Sequence, residues 1–237
     1  MIKMREIRKI ETNESPPKVI KNLFNKDEIN QFLKLYENLP TTVHNKKQNV
    51  VKKRWLQGYD KELEKKFYQR IKNEIGDFKL DNLKTDDGEE ILGLIQESYA
   101  PIGLHVDSGF DLSTQIFKQI LIPLTPVGST IIFKNRYYKT STNFTIDPEE
   151  LKIQNLKYGQ NKRSSEHLNL YGKKPFDTNI HKEYLAHEKI ENLAGLEVEL
   201  IYEWELGSIL IFDRSHLHAS SCKIEGKKIG IASFLKK

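Results

Sequence analysis

The sequence lacks the features that mark several protein classes. It has one cysteine, Cys222, in 237 residues, so no disulfide can form within the chain, and a reducing compartment is the consistent setting. No apolar run approaches the roughly 20 residues that a membrane-spanning helix needs. The opening MIKMREIRKIETNES carries no apolar stretch of the kind a secretory leader uses, and a cytoplasmic location is expected. No internal repeat, low-complexity tract or Gly/Ser-rich linker divides the chain, so residues 1–237 read as a single domain. Hydrophobic residues make up 38% and charged residues 30%, a balance that excludes a disordered chain.

What is present begins with charge. The formal net charge is +5 and the isoelectric point is near 9.0. The lysines are interspersed with acids and do not form one basic block, so the excess reads as general composition before it reads as a nucleic-acid surface. The expected partner is a small-molecule or peptidyl substrate, an anionic one included. Nucleic acid is not favoured, and no membrane partner is expected.

Residues 1–88 read as helix-rich support. VIKNLF (19–24) is a short apolar strand. Asn25 can cap a following helix, with Glu28 placed to complete a capping box. Ile29, Phe32, Leu33, Tyr36 and Leu39 then recur at helical spacing, and Pro40 ends the run. A second helix is expected over about 60–76, with Leu63, Phe67, Ile71 and Ile75 on one face. From residue 89 the pattern becomes β. EILGLIQES (90–98), IFKQILIPL (116–124), STIIF (129–133), LEVELIYEW (196–204), ILIF (209–212) and KIGIASFL (228–235) are short runs separated by turn residues. Between about 135 and 195 the periodicity is weak, apart from a short helix near 180–188. A stretch this long inside a compact domain reads as a functional insertion or a lid. The expected fold is mainly β with supporting helices. It has a double-stranded β-helix (jelly-roll) core, with the N-terminal helices on its outer face.

Two segments carry chemistry. In YAPIGLHVDSGF (99–110), His105 and Asp107 are two apart, so a strand presents both on one face while Val106 points away. The pair alone is a weak signal, because the chain has seven histidines. In WELGSILIFDRSHLHASSC (204–222), a strand leaves a glycine turn and ends in a histidine-bearing edge. Two histidines and one carboxylate form a facial triad with open positions, which suits non-haem Fe(II). His216 and His218 share parity, so strand direction alone does not choose between them.

At these residues the sequence resembles the 2-oxoglutarate/Fe(II)-dependent oxygenase superfamily, especially its prolyl-4-hydroxylase-like branch. In that family a distal strand carries a glycine, a Phe-Asp pair, a histidine five residues after the Asp, and a basic residue about ten further on. Gly207, Phe212, Asp213, His218 and Lys228 stand at that spacing, and Tyr99 lies six residues before His105. The resemblance spans about 95–235 and leaves the 135–195 insertion unmatched. It implies that His105, Asp107 and His218 hold Fe(II), the spacing favouring His218 over His216. It also implies that Lys228 binds the far carboxylate of 2-oxoglutarate, assisted by Tyr99. On the last strand Lys228 shares a face with Gly230 and Ala232, which leave room inside a barrel, whereas Lys227 shares one with Ile229 and Ile231. The implied activity is hydroxylation of a C–H bond with release of succinate and CO2. Tyrosines and cations of the insertion, among them Tyr138, Lys162, Arg163 and Lys174, would suit an anionic partner. Gln119 can point inward. Arg214 and Ser220 neighbour the distal histidine without an assigned role. The rival expectations are a cupin-like metal-dependent isomerase or dioxygenase that does not use 2-oxoglutarate, and a non-catalytic jelly-roll binding module.

Overall fold

The computed structural model describes residues 14–45, 50–80, 88–107, 116–136 and 171–236. The first strand, β1 (Lys18–Ile20), is shorter than the apolar run 19–24 suggests. The chain turns after Ile20, and the Phe24 amide donates to the Gly207 carbonyl at 3.0 Å. Gly207 has φ 80°, and a Cβ there would lie 2.4 Å from the Phe24 carbonyl oxygen. Only glycine allows this close approach.

The first helix, α1 (Lys26–Asn38), starts at the expected capping box. Asn25 Oδ1 accepts from the Glu28 amide and Glu28 Oε2 accepts from the Asn25 amide, both at 2.9 Å. The second, α2 (Lys61–Ile75), is capped by Asp60, whose carboxylate accepts from the Leu63 amide at 3.0 Å. Between the helices lie two strands that the reading of 1–88 as helical support did not contain, β2 (Thr41–Asn45) and β3 (Val50–Leu56). Their hydrophobic signal is masked by the Lys-Lys-Arg in VVKKRWL. Lys53 can nevertheless be buried, because its ammonium donates to the Tyr36 carbonyl at 2.6 Å and lies 4.3 Å from the Tyr36 ring centre.

A short strand that was not expected, β4 (Lys79–Leu80), precedes the β-rich part, whose strands β5 (Ile91–Ser98), β6 (Ile116–Pro123), β7 (Ser129–Arg136), β8 (Val198–Glu203), β9 (Ile209–Asp213) and β11 (Lys228–Lys236) follow the expected runs, with β10 (His216–Ser220) as a further strand. The large sheet runs β1-β9-β6-β11-β5-β3-β2, with β4 also on β11, and the small sheet runs β10-β7-β8. Every pairing is antiparallel. After β6 the chain crosses between the two sheets, giving the jelly roll. The stretch 209–220, expected as one strand, is two strands in different sheets, divided by a turn at Arg214–Ser215.

Three apolar layers result. Ile29, Phe32, Leu63, Phe67 and Ile71 of the helices cover Ile209, Ile211, Ile229 and Ile231 on the outer face of the large sheet. The Phe24, Phe32, Trp55 and Phe67 rings pack edge to face there, with successive centres 5.3, 5.6 and 5.5 Å apart. Between the sheets lie Ile132, Tyr202, Leu210 and Phe212. The outer face of the small sheet (Ile131, Phe133, Leu217, Ala219) is covered by Phe176, Leu185 and Leu193 from the segment holding α3 (Thr178–Tyr184) and a 3-10 turn (Ile190–Leu193). This part of the expected insertion therefore closes a core layer. Residues 137–170, including Tyr138, Lys162 and Arg163, lie outside the described residues. Among the described residues no helix is long and apolar enough to cross a membrane.

Replacing Trp55 by Ala should cost about 3–5 kcal/mol of unfolding free energy, read by denaturant titration. Asn25→Ala should cost about 1 kcal/mol through loss of the cap.

Candidate metal centre

The site is set by burial on either side of it. Leu104 and Val106 are fully buried in the layer outside the small sheet, so period-two alternation turns His105 and Asp107 inward. The Leu104 amide donates to the buried Glu188 carboxylate at 2.6 Å, which fixes the segment. The His105 and His218 backbones form an antiparallel bridge, each amide donating to the other's carbonyl at 2.9 Å. Directly opposed residues point to the same face, and the two imidazole centres lie 4.1 Å apart.

The tautomers follow from local contacts. His105 Nδ1 is 2.7 Å from the Gly103 carbonyl, and His218 Nδ1 is 3.0 Å from the His216 carbonyl. A carbonyl oxygen only accepts, so each Nδ1 carries the proton and each Nε2 presents a lone pair. Those lone pairs face Asp107. His218 Nε2 lies 3.2 Å from Oδ2 and His105 Nε2 lies 3.7 Å from Oδ1. All the donor atoms fall within 4.8 Å of one another. Burial and the neighbouring His218 push the His105 pKa down to about 4, which keeps the ring neutral at physiological pH. Burial alone would raise Asp107, but the two histidines and a hydrogen bond from Gln119 outweigh it and hold the carboxyl well below its usual range. Two neutral imidazole nitrogens and one carboxylate on one side of a shared space fit a divalent transition metal.

Comparison with known proteins adds the fold. No family model and no curated protein matches the chain. Among solved structures it is similar to the epimerase SnoN in complex with Fe3+, alpha-ketoglutarate and nogalamycin RO. That match has 7% identity over 94% of this chain and 80% of that one, at TM-score 0.52. It is also similar to HygX from Streptomyces hygroscopicus with nickel and 2-oxoglutarate bound, with 16% identity over 94% and 83% of the two chains, at TM-score 0.51. The chain has the 2-oxoglutarate/Fe(II) oxygenase fold. A collagen prolyl hydroxylase of Paramecium Bursaria Chlorella virus-1 also aligns, with 10% identity over 94% of this chain and 96% of that one, at TM-score 0.48.

Within this fold Lys228 lies inside the barrel and is 3% exposed. Its ammonium donates to the Ser129 carbonyl at 3.1 Å and sits 4.2 Å from the Trp204 ring centre. Among the described residues no carboxylate lies within ion-pair distance, and burial pushes its pKa down to about 7. A Cβ on Gly230 would lie 2.6 Å from the Trp204 ring, so glycine makes room for the indole. Lys227 points the other way and pairs with Glu97 at 3.1 Å. Tyr99 is not brought to the site: it is 41% exposed and its hydroxyl donates to the same Glu97 at 2.5 Å. His216 pairs with Arg136 and His218 with Ile132, a register shift of β7 against β10, and the His216 imidazole lies 3.3 Å from Glu199 on β8 and outside the cluster of donor atoms.

Three residues that the sequence left without a firm role contribute here. Gln119 Nε2 donates to Asp107 Oδ2 at 2.5 Å. Arg214 Nε donates to the Asp107 carbonyl at 3.0 Å. The Phe212 ring packs edge-on against His218, with centres 5.0 Å apart. Asp213 faces outward, where it pairs with Lys118 and Arg136 and accepts from the Ser15 amide at 2.8 Å.

Titration with Ni(II) or Zn(II) should show one ion per chain. His105→Ala or His218→Ala should abolish tight binding, and Gln119→Leu should weaken it about 10–100-fold. His216→Gln should leave the stoichiometry unchanged.

Proposed function

We propose that the protein is an Fe(II)- and 2-oxoglutarate-dependent dioxygenase that hydroxylates a C–H bond. In this reading His105, Asp107 and His218 hold the iron, and Lys228 takes the far carboxylate of 2-oxoglutarate. The observation that carries it is the buried Lys228 ammonium, which faces the barrel interior with no carboxylate in ion-pair distance among the described residues. A buried charge of this kind is costly unless an anion completes it. The position also suits the cosubstrate. Ile132 lies opposite His218 and Thr130 opposite Ser220, so the Ser129 carbonyl that Lys228 reaches lies about 7–10 Å along the strand from the metal-facing histidine. A five-carbon diacid spans such a gap. HygX and SnoN, of the same fold, were each solved with a transition metal and this keto acid, which supports both assignments.

Iron and 2-oxoglutarate, when bound, supply the oxygen chemistry: O2, the keto acid and the substrate C–H give succinate, CO2 and the hydroxylated product. The chain's own groups position the reactants. The neutral His105 ring and an ionised Asp107 are ready as donors without losing protons at neutral pH, and His218 turns Nε2 to the same space. Gln119 and Arg214 hold the Asp107 side chain and backbone. Phe212 shields one side of His218, and Trp204 walls the Lys228 pocket. Tyr99 has no place in this arrangement. The lone thiol of Cys222 is consistent with a cytoplasmic setting.

Fe(II)-loaded protein should convert 2-oxoglutarate to succinate slowly even without substrate, as followed by NMR. Absence of both succinate and 2-oxoglutarate binding would favour a metal enzyme of another class. Lys228→Ala should weaken 2-oxoglutarate binding at least about tenfold, or 1.4 kcal/mol, with metal affinity nearly intact. Because the free Lys228 pKa is about 7 and a bound carboxylate raises it, binding should take up a proton above pH 7. Affinity should then fall by up to about tenfold per pH unit as pH rises from there. Calorimetry in buffers of different ionisation enthalpy checks both, and Lys228→Met should remove the pH dependence.

A further inference from the structure

The large sheet is wider than the sheet it faces. The small sheet packs through Ile132, Leu200 and Tyr202 on Leu121, Leu210 and Phe212, that is, on β6 and β9. Strands β5, β3 and β2 extend past this contact. Register defines what their inner face carries. Arg54 stands opposite Leu94 and Leu94 opposite Ala232, while Lys52 stands opposite Gln96 and Gln96 opposite Gly230. Residues opposed across a sheet share a face, so Lys52 and Arg54 lie on the face of Gly230 and Ala232. The residues between them confirm the direction: Lys53 reaches Tyr36 of α1, and Trp55 is buried among the helices.

Lys52, Arg54, Leu94, Gln96, Ala232 and Phe234 are all half-buried, whereas Leu210 and Phe212 under the small sheet are buried. Neither Lys52 nor Arg54 has a carboxylate within ion-pair distance among the described residues. The strip borders the metal centre. Phe234 stands opposite Gln119, which holds Asp107, and the Arg214 guanidinium lies 5.3 Å from the Phe234 ring centre. Lys228 lies on the same face two strands from Lys52, its row (Ser98, Val50) next to that of Lys52, and six residues from Phe234, about 20 Å along β11.

Lysines and arginines on a solvated face usually point away from a core and meet acids, as Lys227 and Lys134 do here. Two adjacent, half-buried cations on the concave side of a barrel, with no carboxylate in ion-pair distance among the described residues, are partly desolvated without a charge partner there. An incoming anion supplies the missing partner, and Arg54 offers it a bidentate fork. Leu94, Ala232 and Phe234 give an apolar path from that anion toward Asp107.

We propose that this strip is the primary-substrate site, and that the substrate bears a carboxylate or phosphate, held by Lys52 and Arg54, on an apolar body that lies over Leu94, Ala232 and Phe234. The proposal rests on the metal-centre reading above and adds the substrate class to it. The test is calorimetric titration of the Ni(II)-loaded full chain with phenyl phosphate, phenylacetate and neutral benzyl alcohol, each with and without 2-oxoglutarate. The anionic probes should bind at least about tenfold tighter than the alcohol, and the tighter of the two identifies phosphate or carboxylate. The double variant Lys52→Met/Arg54→Met should lose that preference, and Lys52→Arg should keep it, with metal stoichiometry and 2-oxoglutarate affinity unchanged in both. Equal binding of all three probes, binding of none, or a preference that survives the double variant would overturn the proposal. Failure of the wild-type chain to bind 2-oxoglutarate would instead overturn the assignment of Lys228, and the arm without 2-oxoglutarate would still read the anion preference.

Discussion

His105 and His218 exchange both backbone hydrogen bonds, at 2.9 Å in each direction, and through this bridge two segments more than a hundred residues apart meet in one place. The bridge sets more than proximity. In an antiparallel pair the directly opposed side chains leave the same face, so once the two backbones are joined, both imidazoles must point into the barrel. Asp107 follows by alternation, and the buried Leu104 and Val106 prevent the strand from rotating. A slip of one residue would send both ligating side chains of the first segment into the apolar layer around Phe133 and Leu217.

Charge is distributed with a consistent logic around that bridge. On the outer faces, several buried carboxylates meet cations. Asp213 meets Lys118 and Arg136, Glu97 meets Lys227 and two tyrosine hydroxyls, and Glu28 meets Arg70. Inside the barrel, Lys228 is buried and Lys52 and Arg54 stand half-buried, and among the described residues none of the three has a carboxylate within ion-pair distance. Lys228 faces the Ser129 carbonyl and the Trp204 ring, while Lys52 and Arg54 stand two strands away on the same face.

Much of this was legible in the sequence because the signals were local. The Asn25–Glu28 capping box, the helical spacing of Leu63, Phe67 and Ile71, and the alternation in the strands each need only a few neighbouring residues. The spacing from Gly207 through Asp213 and His218 to Lys228 pointed to the same constellation that the fold assembles. What was hidden depends on distant partners. VVKKRWL did not read as a strand because Lys53 is buried only by virtue of the Tyr36 carbonyl. The roles of Gln119 and Arg214 require the register of β6 against β9 and the turn after Asp213. The split of 209–220 into two strands of different sheets has no local marker beyond Arg214–Ser215. Tyr99 was placed with the cosubstrate by its distance in sequence, yet its hydroxyl follows Glu97 to the outer face.

The chain has only two tryptophans, and they occupy unlike environments. Trp55 is sealed in the aromatic stack beneath the helices, with no exposed surface. Trp204 lines the inner pocket, its ring against Gly230 and the Lys228 ammonium and its Nε1–H donating to Thr130 at 2.9 Å. The molecule therefore carries two intrinsic optical probes that answer different questions. The emission of Trp55 reports whether the outer core is intact. That of Trp204, whose ring centre lies 4.2 Å from the Lys228 ammonium, reports on the inner pocket while the outer core stays unaltered.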